Sequence, residues 1–184
     1  EIIRQFWEKY PKIKVVLHQG DYTSIPEWVR TGAVDFGFVN PKAVRGMETV
    51  QVRSGKFRAV VPAGHRLAGQ TSVTLTDLAR EPFLMLEEGT YSEPMEAFRA
   101  AGLMPDVRLR VHDDYSILSM VEQGLGVSVL AELVLRKTNY KVVTLPIDPP
   151  VIRDLGIIMK EKHSLPLAGR EFLRCLMENR EKLL

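Results

Sequence analysis

The chain of 184 residues has a single cysteine, Cys175, so no disulfide can form within it. Its fold must rest on packing, and a lone thiol fits a reducing compartment. Long apolar runs are also missing. Runs such as residues 15–17 and 127–131, the second interrupted by Ser128, are far short of the roughly 20 residues that a membrane-spanning helix requires. No basic start leads into an apolar stretch and a small-residue cleavage site, so no secretory signal is visible. The expectations are a cytoplasmic protein and no membrane partner. Lys and Arg number 25 against 23 Asp and Glu, and the net charge of +2 is spread along the chain. Without a Lys/Arg block there is no face to track a phosphate backbone, which argues against a nucleic-acid-binding module within these residues.

What is present is the composition of an ordinary globular protein, 45% apolar and 26% charged, and a weak internal repeat. The stretch from Pro11 through His18 to Asp21, Tyr22 and Thr23 returns from Pro105 through His112 to Asp114, Tyr115 and Ser116. Each copy continues into a helical pattern closed by glycine, Gly32 or Gly124, and then into a β-rich run, residues 34–39 or 127–130. Two copies do not make a solenoid. They predict two similar α/β lobes, and paired lobes leave a cleft of the kind that small ligands prefer.

Residues 1–10 read as a helix, with Ile2, Ile3, Phe6, Trp7 and Tyr10 at three- and four-residue spacing. A wide apolar arc of this kind is either a broadly buried helix or one side of a subunit interface. Pro11 ends it, and β-branched residues 13–17 predict a strand. Thr23 or Ser24 is placed to cap a helix that runs to Thr31, with Pro26 in its first turn. Further strands are predicted at 34–39, 48–52, 57–61, 83–86, 107–111, 127–130, 142–145 and 155–159. Helices are predicted from Thr74, whose spacing to Asp77 resembles a capping box, and over 93–101, 115–123 and 167–183, the last capped by Ser164. The strand–helix alternation of the second half favours a parallel sheet with helices on both faces. The first half lacks only an opening strand, which by symmetry belongs before Glu1. Crossings near residues 54–57 and 150–154 assign 1–54 with 152–184 to lobe I and 55–151 to lobe II.

Several motifs resemble one family. Pro11, Gly20 and the run from Gly32 through Asp35 are similar to the start of the effector domain of LysR-type transcriptional regulators. So are Val60-Val61-Pro62 followed by His65 to Ala68, Leu75 to Leu78, Pro82-Phe83, and Val121 to Ser128 with Gly124 and Gly126. The matches cover nearly the whole chain in order. His65-Arg66-Leu67-Ala68 departs from the family's His-Pro-Leu-Ala, and Ala131-Glu132 stands where a proline is usual. The resemblance implies a fold like type 2 periplasmic binding proteins and a small-molecule effector bound between Rossmann-like lobes. It further implies DNA contact only through a winged helix-turn-helix outside this chain, and a homodimer or homotetramer.

Ligands of parallel α/β lobes sit at the carboxyl ends of the strands, where helix N-termini offer N–H groups. That rule selects the loops 20–24, 39–41, 88–92 and 113–116. The candidate ligand contacts are Asp21, Tyr22, Thr23, Asn40, Glu88, Gly89, Thr90, Asp114, Tyr115 and Ser116. The competing reading is that Thr, Ser and Asp in front of helices are simple N-caps. The acids in these loops favour an amine-bearing or zwitterionic ligand over a dicarboxylate.

Other motifs carry less. His18 and His112 with Asp113 and Asp114 have no metal-binding spacing, so neither metal nor cofactor is expected. Gly124-Leu125-Gly126 closes a helix where a dinucleotide fingerprint would open one. Ser128 lies within a strand without a nucleophile elbow, and Cys175 lies mid-helix among leucines. Adjacent acids such as Glu87 and Glu88 point apart in an extended segment, so no acid–base dyad forms from neighbours. Catalysis is not expected. The alternative function is a solute-binding protein delivering a small polar ligand to a transporter.

Overall fold

The structure is a computed structural model describing residues 1–182. Backbone contacts divide the chain into two units, Glu1–Arg53 with Asp154–Leu184, and Ser54–Arg153.

Unit 1 opens with helix α1 (Ile2–Lys9), which buries Ile2 and Phe6 and leaves Trp7 45% exposed. The Trp7 indole N–H donates to the Ile13 carbonyl at 2.9 Å, which ties the helix to the chain beyond Pro11. Helix α2 (Ser24–Thr31) ends at Gly32, whose φ of 77° lies in the left-handed region that favours glycine at a helix end. Strand β1 (Phe36–Val39) pairs antiparallel with β7 (Ile152–Met159), which lies beside β2 (Glu48–Pro62). The C-terminal helix α7 (Leu167–Glu178) closes the core with Phe172, Leu173 and Leu176. Phe172 stacks on Phe36 and meets Phe6 edge-on, with centroids 5.6 and 5.1 Å apart, the offset geometries that aromatic quadrupoles prefer.

Unit 2 contains the second half of β2, then α3 (Leu75–Ala79), β3 (Pro82–Leu86), α4 (Glu93–Ala100), β4 (Asp106–Val111), α5 (Asp114–Glu122), β5 (Ser128–Ala131), α6 (Glu132–Leu135) and β6 (Val142–Pro146). β3 is parallel to β4, and a parallel bridge joins Phe83 to Val127 just ahead of β5. β2 runs antiparallel to both β5 and β6, so the sheet is mixed where sequence order predicted a parallel one. Both faces are covered. Phe83, Met85 and Val129 enter one cluster with Leu78 and Phe98. Leu84 and Leu130 enter another with Ile117, Leu118 and Val121. The two-residue alternation of strands sends neighbours to opposite clusters.

Several boundaries differ from expectation for physical reasons. Residues 13–17, predicted as a strand, join no ladder; a strand forms only beside another strand, and no described strand pairs with these residues. The runs 48–52 and 57–61 form one continuous strand. Asp21, not Thr23 or Ser24, serves the start of α2, accepting the N–H groups of Thr23 and Ser24 at 2.9 and 2.7 Å. The Ser164 hydroxyl donates to the Glu161 carbonyl instead of capping α7, which starts behind Pro166. That helix stops at Glu178, and the predicted end at Leu183 lies outside the described residues.

Thr74 and Asp77 do form a capping box: Thr74 Oγ1 accepts the Asp77 N–H at 3.1 Å and Asp77 Oδ2 accepts the Thr74 N–H at 2.9 Å. Thr74→Ala removes one acceptor of this pair. It is expected to cost about 1 kcal/mol in urea melts, and Thr74→Ser should restore most of it.

Candidate functional site

The strand-end loops of unit 2 hold a buried cluster of charges. β3 ends at Leu86, and the next two acids diverge as extended neighbours must. Glu87 turns to Arg110 on β4, at 3.0 Å. Glu88 turns inward, where its Oε1 meets Arg153 Nη2 at 3.3 Å. Arg153 lies in β7 at the end of unit 2, and its guanidinium carbon is 5.9 Å from the centroid of the Phe57 ring. That distance suits a cation–π contact. Gly89, with φ of 87°, lets the backbone turn away immediately after the buried acid.

Burial dominates the electrostatics. It pushes the Glu88 carboxyl from an ordinary 4.5 up to about 7, against the pull of Arg153 and aided by the negative charges of Glu93 and Asp114. The Asp114 carboxyl is also raised by burial, again against Arg153. Its neighbour Asp113 moves the opposite way, because hydrogen bonds from Ser116 stabilise its anion. Asp113 Oδ2 accepts the Ser116 N–H at 2.6 Å and caps α5. Ser92 Oγ accepts the Met95 N–H at 3.5 Å and caps α4, where Pro94 has no N–H to offer.

Of the candidate contacts, Glu88 and Asp114 therefore belong to one charged cluster around Arg153. Gly89, Thr90, Tyr115 and Ser116 lie on the same two loops; Tyr115 is 59% exposed and Thr90 is exposed. The cavity beside Glu88 and Ser92 has a volume of about 10 Å³, so there is room for at most one water. In unit 1, Tyr22 is buried and Thr23 exposed. Asp21 Oδ1 also accepts the Ser24 hydroxyl, at 2.8 Å, and these hydrogen bonds, led by the Ser24 N–H, hold its carboxyl below the usual carboxylate range. Asn40 is buried, and its Oδ1 accepts the Lys42 N–H at 2.8 Å at the start of a short 3-10 turn.

Arg153, Glu93 and Phe57 were not legible as site residues. Arg153 stands 65 positions beyond Glu88, and its one sequence signal is a cation three residues after Pro150 of the Pro149-Pro150 break. The remaining motifs resolve as packing. Ser128 is buried and donates to the Leu84 carbonyl at 2.7 Å. Cys175 is buried among the helix-packing residues of α7. Among the described residues no group of His, Cys, Asp and Glu is placed to hold a metal ion, and no helix is long and apolar enough to cross a membrane.

Two α/β units, the second with strand-end loops that lead into the capped helices α4 and α5, have the fold of the two-lobed periplasmic-binding-protein class. The profile of the LysR substrate binding domain matches residues 1–181, and the chain belongs to that family. It is 30% identical over 180 residues to YvbU, an HTH-type transcriptional regulator of Bacillus subtilis, covering 97% of this chain and 61% of that protein. It is 30% identical over 188 residues to the transcriptional dual regulator GltC of the same organism, covering 99% of this chain and 63% of that protein. The chain thus spans about three fifths of these regulators. The regulatory domain of CcmR from Synechocystis, solved in complex with 2-PG, superposes with a TM-score of 0.87 at 24% identity, covering 99% of this chain and 90% of that one. These relatives are regulators of transcription.

Proposed function

We propose that this chain is the effector-sensing part of a cytoplasmic LysR-type regulator. A small metabolite binds at the strand-end loops and alters how a winged helix-turn-helix elsewhere in the protein engages DNA. The lobes of this reading are 1–54 with 152–184, and 55–151, and the working protein is a homodimer or homotetramer. The observation that carries it is the Glu88–Arg153–Asp114 cluster, with buried charge of both signs at strand ends in a chain of this family. Buried charges are costly unless paired, and a partly desolvated cluster rewards a ligand that completes its pairing. With acids outnumbering Arg153, the favoured ligand presents an ammonium or several N–H and O–H donors beside an anionic group. The small molecule held by the CcmR regulatory domain supports a metabolite-sized effector.

The test is a thermal-shift screen of metabolites on the full-length regulator. A ligand at 100 times its Kd adds about 2.7 kcal/mol, a shift of roughly 5–10 °C for a protein of this size. Asp114→Asn should weaken the effector about tenfold or more, and the effector should change operator affinity in a gel-shift assay. A regulator that binds its operator but is stabilised by no metabolite, and whose DNA binding no metabolite alters, would sink the reading.

A further inference from the structure

The charged cluster of unit 2 holds more acid than its guanidinium can balance. Its three carboxylates come from three segments: Glu88 on the loop after β3, Glu93 at the start of α4 and Asp114 at the start of α5. Glu88 is the member on which the others converge, since its carboxyl feels Arg153, Glu93 and Asp114 together. The side chains of Glu88 and Arg153 are 16% and 28% exposed, and Glu93 is 4% exposed. Neighbouring charges are engaged elsewhere. Glu87 and Arg110 pair with each other at 3.0 Å, and the Asp113 carboxylate accepts the Ser116 N–H. β2 presents the Phe57 ring to Arg153, and Val129 of β5 lines the small cavity beside Glu88.

With every acid ionised, the cluster would set three negative charges against one positive. Partly buried carboxylates do not all ionise in one place without a cation to offset them. The smallest such cation is a proton, and the fold selects the acid that carries it. Glu93 and Asp114 are first-turn residues of helices of 8 and 9 residues, where the positive end of the helix dipole favours their anions. Glu88 stands on a loop without that help, and burial raises its carboxyl to about 7 even beside Arg153. Asp114 is raised in the same direction and adds to the effect at the acid end. An ammonium group fills the same electrostatic role as the proton, with one positive charge and three N–H donors.

We propose that the effector binds in exchange for a proton: its ammonium settles against Glu88 and Asp114, and the proton of Glu88 leaves to solvent. This rests on the effector reading above and adds to it the ion that the effector displaces. The exchange is balanced, because a carboxylic acid and an ammonium give a carboxylate–ammonium pair and one released proton. The regulator then responds to its metabolite and to pH together. While Glu88 is protonated, each unit of rising pH strengthens effector binding about tenfold; once it is ionised, the affinity levels off. An effector held by its anionic group, on Arg153 and protonated Glu88, would show the opposite sign.

The test is calorimetric titration of the full-length regulator at pH 5, 6, 7 and 8, in pairs of buffers of different ionisation enthalpy. The probes are the standard amino acids other than histidine and cysteine, whose α-ammonium groups stay charged over this range, each beside its N-acetyl derivative. At least one amino acid is expected to bind about 50-fold more tightly at pH 7 than at pH 5, and only about twofold more tightly again at pH 8. It should release about 0.9 proton at pH 6 and about 0.1 at pH 8, and its N-acetyl derivative should not bind. A Kd that is flat or weakens as pH rises overturns the proposal, as does equal binding of the N-acetyl derivative. If every amino acid fails while another metabolite shifts both Tm and operator binding, the exchange falls and the effector reading stands. If no metabolite does so, both fall. Glu88→Gln should remove most of the slope, and a variant that binds with the parent's slope refutes Glu88 as the carrier of the proton. Where that variant neither folds nor binds, the proton count of the parent decides.

Discussion

Gly126→Ala is expected to destabilise the protein by about 3 kcal/mol, the upper part of the usual range for overpacking. At the size of this chain that lowers Tm by roughly 6–12 °C. A Cβ at position 126 would lie 2.4 Å from the Pro82 carbonyl oxygen and 3.1 Å from its carbon. That oxygen accepts the Val127 N–H at 2.8 Å, so it cannot retreat without breaking the bond that joins β3 to the chain entering β5. Leu84, completely buried, is also within 3.3 Å of the added carbon and is packed in the cluster of Ile117, Leu118 and Val121. Gly69→Ala is the control, because nothing lies within 4 Å of its Cβ position. Thermal melts of the two variants decide the point. Equal melting temperatures would mean that β3 yields at little cost and that the close approach is not what requires glycine.

The second large effect is a dependence on pH. Glu88 keeps its proton in the folded protein up to about pH 7, whereas in the unfolded chain it loses it near 4.5. Between those values the native state binds more protons, so stability falls as pH rises. Below the window both states are protonated and the cost vanishes. Above it the full cost is present, about 2–3 kcal/mol at 1.36 kcal/mol per unit and allowing for partial solvent access. Asp114, raised by burial as well, acts in the same direction. Glu88→Gln keeps the shape and removes the charge, so it should match the parent at or below about pH 4 and exceed it by that amount near pH 8. Melting curves across this range check the difference. Parallel profiles for the two proteins would show that Glu88 is paired well enough to ionise normally.

The resemblance in family motifs and the α/β class were legible from the sequence because they rest on short-range patterns. The 3.6-residue stripe of Ile2 and Phe6, the glycine closing α2 at Gly32, and the Thr74–Asp77 box are decided within a few residues. So was the divergence of Glu87 from Glu88, which follows from the pleat of an extended chain. The readings of Ser128 and Cys175 as packing residues held for the same reason. Misplaced features depended on partners. Residues 13–17 have a strand's composition, yet composition supplies no ladder. Asp21 displaced Thr23 and Ser24 as the group serving α2 because its carboxylate reaches two N–H groups and a hydroxyl together.

The sequence alone thus determined the apolar stripe of α1, the glycine end of α2 and the loops that follow β3 and β4, since each depends on local backbone preference and periodicity. Only the tertiary structure decided that the sheet of unit 2 is mixed and that Arg153 is the counter-charge of Glu88. Those facts depend on strand pairing and desolvation between segments far apart in the chain. Hydrogen-bond partners and buried charge exist only once such segments meet.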